Sequence, residues 1–290
     1  MKPRDMVLAA LTSIVWGLGF AAGKIALESF SPAQLTAARF VIACVPVVLV
    51  PRPRISWPAL VAIGSTLFAG QFLFLFFAFD HGLPPGVASV SQQMQAFFTV
   101  LLGAIFLRDV PTPRQVTGMA IAFAGLLLIG STAGSDLRLT GLALGLAAAA
   151  SWAVGNVLVK RAADVAVFPL VVWCSLVPPL PALVVSHVAD GHVDLVGAFS
   201  HASWPSLAGV VYLGVFATVL AYASWGYLLQ RYSTAAVAPF ALLSPCAGVL
   251  SSALILGEIP GPIRYAGMAL IVAGLIVSLK PRRTSIARIA

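Results

Sequence analysis

The chain has 290 residues, of which 60% are hydrophobic and 9% charged, and its mean hydropathy is +1.01. Soluble domains carry about a quarter charged residues, so a water-soluble globular fold is excluded and an integral membrane protein is expected. The net charge of +8 needs no nucleic acid, because a basic rim against anionic lipid accounts for it.

A bilayer core about 30 Å thick takes about 20 apolar residues of helix per crossing, and lipid excludes unpaired backbone. Long uncharged runs therefore point to helices and away from a β-barrel. Ten spans are expected, at about 6–27, 32–51, 57–79, 85–107, 113–131, 139–160, 167–187, 204–228, 234–256 and 262–279. The connections are short and rich in turn formers, as at Pro51 to Pro53 and Pro84 to Gly86, and the longest covers about 188–203. Lys2 and Arg4 before the first span resemble a signal-peptide start, but no polar mature domain follows. Cys44, Cys174 and Cys246 fall inside spans as small apolar residues. Thirteen basic residues, among them Arg52, Arg108, Lys160, Arg231 and Arg283, fall on one side of this pattern, and only Arg138 and Arg264 on the other. Both termini are therefore expected to be cytoplasmic.

Polar groups inside spans are costly and face a cavity or a neighbouring helix, so they mark candidate sites. In the first span Trp16 lies near the middle, and Lys24 is close enough to the outer end to snorkel. Arg39, two turns into the second span, would be structural if it paired with Glu28 or Asp80. Gln71 lies in the outer half of the third span among five phenylalanines, most of them expected to face lipid or other helices. The fourth span is the clearest: at about 100° per residue, Ser89, Gln92, Gln95 and Thr99 share about a third of the helix surface. Their amides and hydroxyls suit a zwitterion's ammonium or carboxylate; interhelical hydrogen bonding is the alternative.

In the sixth span Trp152 sits past the middle with Asn156 one turn on. Tryptophan prefers interfaces, so Trp16 and Trp152 read as an aromatic wall or as core packing. Thr218, Tyr222 and Trp225 share a face of the eighth span at i, i+4 and i+7. Pro239 and Pro245 interrupt the ninth, either freeing carbonyls toward a cavity or making a hinge, and Ser244 sits beside the second proline. His187, Asp190, His192, Asp194 and His201 cluster in the longest loop, where a solvated loop and a weak metal site are both conceivable; no metal is assigned.

The sequence repeats itself. "VPTPRQVTGMAIAFAGL" at 110–126 returns as "IPGPIRYAGMALIVAGL" at 259–275, with Pro111 on Pro260, Gly118 on Gly267 and Gly125 on Gly274. Trp16, Gly19 and Lys24 recur as Trp152, Gly155 and Lys160, and Trp57-Pro58 as Trp204-Pro205. The halves are 1–134 and 135–290, five spans each. Five is odd, so the second half must cross the membrane in the opposite sense. Inverted repeats characterise secondary transporters, with a site near the midplane between the halves; a purely structural duplicated bundle is the other reading.

These paired ends, Trp16-Gly17-Leu18 with Lys24, "AARF" at 37–40 and "SWAVGN" at 151–156 resemble the EamA family of the drug/metabolite transporter superfamily. "QAFFTVLLGA" at 95–104, "WGYLLQRY" at 225–232 and "VAPFALLSP" at 237–245 are most similar to its bacterial exporters of amino acids and their derivatives. The resemblance covers essentially the whole chain. It implies an all-α membrane protein, a ten-helix basket around a central cavity. Such a protein would export small metabolites across the bacterial inner membrane as a monomer, with membrane lipids and the amino acid as partners and no cofactor.

Absences narrow the substrate. Every Asp and Glu lies at a span end or in a loop, which disfavours an organic-cation exporter and gives no support to proton antiport through a buried carboxylate. Phosphorylated substrates want Lys or Arg in the cavity, and spans seven to ten carry none before Arg231 and Arg264 at their ends. A membrane-embedded enzyme would need a nucleophile with a base, a carboxylate pair or a metal cluster, and none is apparent. The expectation is a cavity of amides and aromatics without a fixed charge, suited to neutral amino acids, bulky ones included, moving by facilitated diffusion or exchange.

Overall fold

A computed structural model describes residues 1–83, 85–131, 138–190, 195–256 and 261–279, and among them all regular structure is helical. In chain order the elements are α1 (Pro3–Ala26) and α2 (Pro32–Cys44), the latter tightening to a 3-10 turn at Val45–Val48. Next come α3 (Trp57–Gly64) and α4 (Gln71–Asp80), joined without a break by a π-helical segment at Ser65–Gly70. Then follow α5 (Pro85–Leu107), α6 (Pro113–Gly130), α7 (Leu139–Arg161), α8 (Val167–Cys174), α9 (Pro179–Asp190) and the short α10 (Leu195–His201). A second π-helical segment, Tyr212–Leu220, joins α11 (Trp204–Val211) to α12 (Ala221–Arg231). The chain ends with α13 (Thr234–Val237), a 3-10 stretch at Ala238–Leu242, α14 (Leu243–Leu256) and α15 (Pro262–Leu279).

Seven segments are long and apolar enough to cross a membrane, while Pro32–Val48, Ser91–Leu107 and Pro262–Ser278 are shorter apolar helices. Their outward faces carry large apolar side chains, such as Val48, Ile105 and Leu254, that a soluble protein would bury.

The helix starts follow from local chemistry. Ser31 and Thr112 each cap a helix through a capping box closed by Gln34 and Gln115, and Pro32 and Pro113 take the first helical position, where no amide donor is missed. Ser56 and Ser203 cap α3 and α11 through the amides of Ala59 and Ser206.

Three departures from regular spans have local causes. The seventh span breaks between Cys174 and Pro179, where Pro178 and Pro179 cannot continue a ladder. The ninth is 3-10 around Pro239, whereas Pro245 sits in the first turn of α14 and interrupts nothing. The carbonyl left free there, that of Phe240, accepts from Ser13 Oγ at 2.8 Å instead of facing a cavity. Each π segment begins eight residues after the tryptophan of its Trp-Pro pair, at Ser65 and at Tyr212, and neither was expected from hydrophobic periodicity.

Packing is closest between α6 and α15, which run antiparallel. A Cβ added to Gly118 would lie 2.5 Å from the Gly274 carbonyl oxygen, and one on Gly274 would meet that of Gly118 in return. Gly125 and Gly267 face each other likewise, at 2.5 Å and 2.6 Å. Only glycine allows backbones this close. The contact maps onto itself when the repeated phrases are exchanged, since Gly118 corresponds to Gly267 and Gly125 to Gly274.

Candidate functional site

An aromatic cluster occupies the middle of the bundle. The Trp16 ring lies 5.9 Å from Trp152, 5.2 Å from Tyr222 and 5.1 Å from Trp225, centroid to centroid, and Phe68 lies 4.9 Å from Tyr222. Trp16 Nε1 donates to the Ala217 carbonyl at 3.0 Å, which fixes the ring. Ala217 belongs to the second π segment, where the wider turn leaves a carbonyl able to serve side chains.

Against this cluster lies a cavity of about 260 Å³. Trp16, Trp152, Tyr222 and Phe72 supply its aromatic surface, Gln71, Gln92, Gln93, Gln95 and Ser244 its neutral polar groups, and Arg39 its only charge among the described residues. No carboxylate lines it among the described residues. Along α1 the lining runs from Trp16 through Gly19 to Gly23, and along α2 from Arg39 back to Leu35, so the cavity extends toward the end of the bundle where α1 finishes. At Gly23 an added Cβ would meet nothing within 4 Å.

The opposite end, where α1 begins, is bridged by a polar network. Asp109 Oδ2, following α5, accepts from the Thr234 amide at 2.5 Å and from Thr234 Oγ1 at 2.9 Å, and Lys160 Nζ stands 3.6 Å away. Lys160 also donates to the carbonyls of Leu229 and Tyr232 at the end of α12. Tyr232 in turn donates its hydroxyl to Asp5 Oδ2 at 2.6 Å, which raises the tyrosine's pKa above its ordinary value.

Seven of the residues singled out in the sequence line the cavity: Trp16, Gln71, Gln92, Gln95, Trp152, Tyr222 and Ser244. Gln71 is held by the Tyr222 hydroxyl, which donates to its Oε1 at 3.2 Å. Thr99 and Asn156 instead satisfy each other across α5 and α7, with Asn156 Nδ2 donating to Thr99 Oγ1 at 3.1 Å. Trp225 packs behind Trp16 and Trp152. Thr218 lies one shell out, donating to the Leu213 carbonyl at 2.7 Å and accepting from Arg39 Nε at 2.6 Å. The side chains of Ser89 and Asp80 lie outside the described residues, as do His192, Asp194 and Glu258.

Two functional groups escaped the sequence reading. Gln93 falls off the single stripe drawn on α5, yet lines the cavity beside Gln92 and Gln95 because the cavity wraps more of that helix than one stripe. The expectation of a cavity without fixed charge is corrected by Arg39. Its bonds run to Thr218 Oγ1 and, at 3.3 Å, to the Ala217 carbonyl, and no ion pair to Glu28 is formed. The rule that pointed away from charge looked for Lys and Arg in the second half only, whereas α2 supplies the arginine.

The EamA-like transporter family matches this chain twice, over residues 4–131 and 139–280. The chain belongs to the EamA-like transporter family. A relative in Salmonella typhimurium, named "Probable amino-acid metabolite efflux pump", is 38% identical over 98% of this chain and 99% of its own length. One of the same name in Escherichia coli is 37% identical over 96% of each chain. A third, the "Probable terminal-alkyne amino-acid exporter" of Streptantibioticus cattleyicolor, is 30% identical over 94% of this chain and 92% of its own. A protein of known crystal structure superposes with a TM-score of 0.81 over 96% of this chain and 98% of that one; at 20% identity it speaks for the fold. The protein is thus a multi-pass membrane transporter of EamA type.

Proposed function

We propose that this chain exports amino acids from the cytoplasm across a bacterial inner membrane through the central cavity. The observation that carries the reading is the cavity itself. About 260 Å³ lies just below the usual range of ligand sites, roughly 300–1,000 Å³, enough for one amino acid. Its aromatic wall suits an apolar or aromatic side chain, and its amides suit the polar end. The names of relatives that align over nearly their whole length point the same way.

The mechanism we propose is alternating access between two inverted five-helix halves, 1–134 and 135–290, in a ten-span protein with both termini cytoplasmic. The antiparallel α6–α15 seam supports it, since its contacts are interchanged by the repeat. The bonds of Asp109 and Asp5 to Lys160, Thr234 and Tyr232 link the two halves at one end, and the cavity extends toward the other. This is the arrangement of a carrier closed to the cytoplasm. With no acid in the described cavity lining, transport runs as facilitated diffusion or exchange across a broad range of neutral substrates, aromatic ones included.

The test is counterflow in proteoliposomes across a panel of the common amino acids and O-acetylserine. Trans-stimulation by unlabelled amino acid supports a carrier; flux without it points to a channel. Accumulation that requires an imposed pH gradient would overturn the uncoupled mechanism in favour of proton antiport.

A further inference from the structure

We infer that Arg39 is the residue that selects the substrate's carboxylate and that the amides of Gln92, Gln93 and Gln95 receive its ammonium, so that the cavity requires both charged ends of a free amino acid. This rests on the amino-acid exporter reading above.

Arg39 is only 9% exposed, yet it lines the cavity and bears a permanent charge. Every partner it has among the described residues is neutral. Nε is held by Thr218 Oγ1 and Nη2 by the Ala217 carbonyl, while Phe72 lies under the guanidinium with its centroid 4.6 Å from the central carbon. These contacts fix the orientation of the head without cancelling its charge. The Thr218 hydroxyl donates to Leu213, so toward Arg39 it can only accept, and the grip is directional. No hydrogen bond engages Nη1 among the described residues, which leaves N–H donors of a planar fork for an incoming group. A carboxylate is the anion whose two oxygens match such a fork.

The second half of the argument is independent. The side-chain oxygens of Gln92, Gln93 and Gln95 are all buried and have no hydrogen-bond partner, and all three residues line the same cavity. Buried acceptors without donors are rare in native proteins and call for a ligand that supplies them. Gln92 Nε2 is committed to the Gly145 carbonyl at 3.3 Å, which turns its oxygen away from that bond. An ammonium group brings three donors and no acceptor, the complement of three such oxygens. One wall of the cavity thus offers a cation and another offers acceptors, around a volume that a single amino acid spans.

The experiment uses the purified full chain in proteoliposomes and takes the amino acid with the strongest counterflow in the panel, its α-carboxamide and its N-acetyl derivative. For the wild type, both derivatives should drive counterflow at least tenfold less well than the parent. In Arg39→Gln the KM for the parent should rise at least tenfold, to that of the carboxamide, whose own KM barely moves; Arg39→Lys should restore part of the discrimination. Equal transport of parent and carboxamide by the wild type overturns the role of Arg39, and does so even if Arg39→Gln fails to fold. Equal transport of the N-acetyl derivative overturns the role of the amides. If the wild type moves no amino acid at all, the exporter reading itself falls and this assignment with it.

Discussion

Replacing Lys160 with methionine, similar in length but uncharged, should loosen the end of the protein where α1 begins. Of the three acceptors around Nζ, the carbonyls of Leu229 and Tyr232 lie in the same half of the chain as Lys160, so their loss weakens both access states alike. Only Asp109, 3.6 Å away, belongs to the other half. Exposed ion pairs contribute about 0–1 kcal/mol, and breaking a buried one costs about 3–5 kcal/mol. With side chains 19% and 14% exposed, this pair falls between, at about 2 kcal/mol. Asp109 keeps its two bonds to Thr234, so nothing further is lost. At about 1.4 kcal/mol per factor of ten, the population open at that end should rise roughly 30-fold. The assay is the rate at which Ser244→Cys, in a background lacking Cys44, Cys174 and Cys246, reacts with a charged thiol reagent applied from that face. Ser244 lines the cavity, so the rate follows the population that exposes it. A rate within threefold of the parent, in a variant that remains monodisperse and equally heat-stable, refutes the assignment of this network as a gate.

Gly118→Ala places a methyl 2.5 Å from the Gly274 carbonyl oxygen and should cost about 1–3 kcal/mol, read as a fall of several degrees in the melting temperature in detergent. Gly23→Ala, where the methyl meets nothing within 4 Å, should show no such fall. Gln92→Leu and Gln95→Leu should lower counterflow while membrane insertion and expression stay at wild-type levels; unchanged transport in both would remove the amides from the site. Trp16→Phe gives up the bond to the Ala217 carbonyl, worth about 1 kcal/mol, and should raise KM several-fold without a matching loss of folded protein.

Helices announce themselves in this sequence through physics that acts over one or two turns. Ser31-Pro32 with Gln34, and Thr112-Pro113 with Gln115, spell a cap, a first turn and a box, and the helices begin there. Trp16, Trp152 and Tyr222 were legible because large polar-tipped rings are out of place in a membrane interior. Arg39 was visible as an anomaly, but its meaning depends on Thr218 and Ala217, which are 179 and 178 residues away along the chain. Thr99 and Asn156 illustrate the converse: each satisfies the rule for a cavity residue, and the rule cannot tell a ligand from a partner on a facing helix. Gln93 was lost because periodicity assigns one face to a helix, whereas this helix touches α7 on one side and the cavity over a wide arc.

The two π segments carry one more consequence. A π turn holds one residue beyond what an α-helix of the same length requires, and Gln71 follows directly on the first segment while Thr218, the anchor of Arg39, lies within the second. Deleting a single residue from Ser65–Gly70 or Tyr212–Leu220 would leave an unbroken helix of ordinary pitch, and it would turn everything beyond the deletion by about 100°. In these spans specificity is therefore written partly in the count of residues, and a shortened homologue could keep every cavity side chain in its sequence and present none of them to the same ligand.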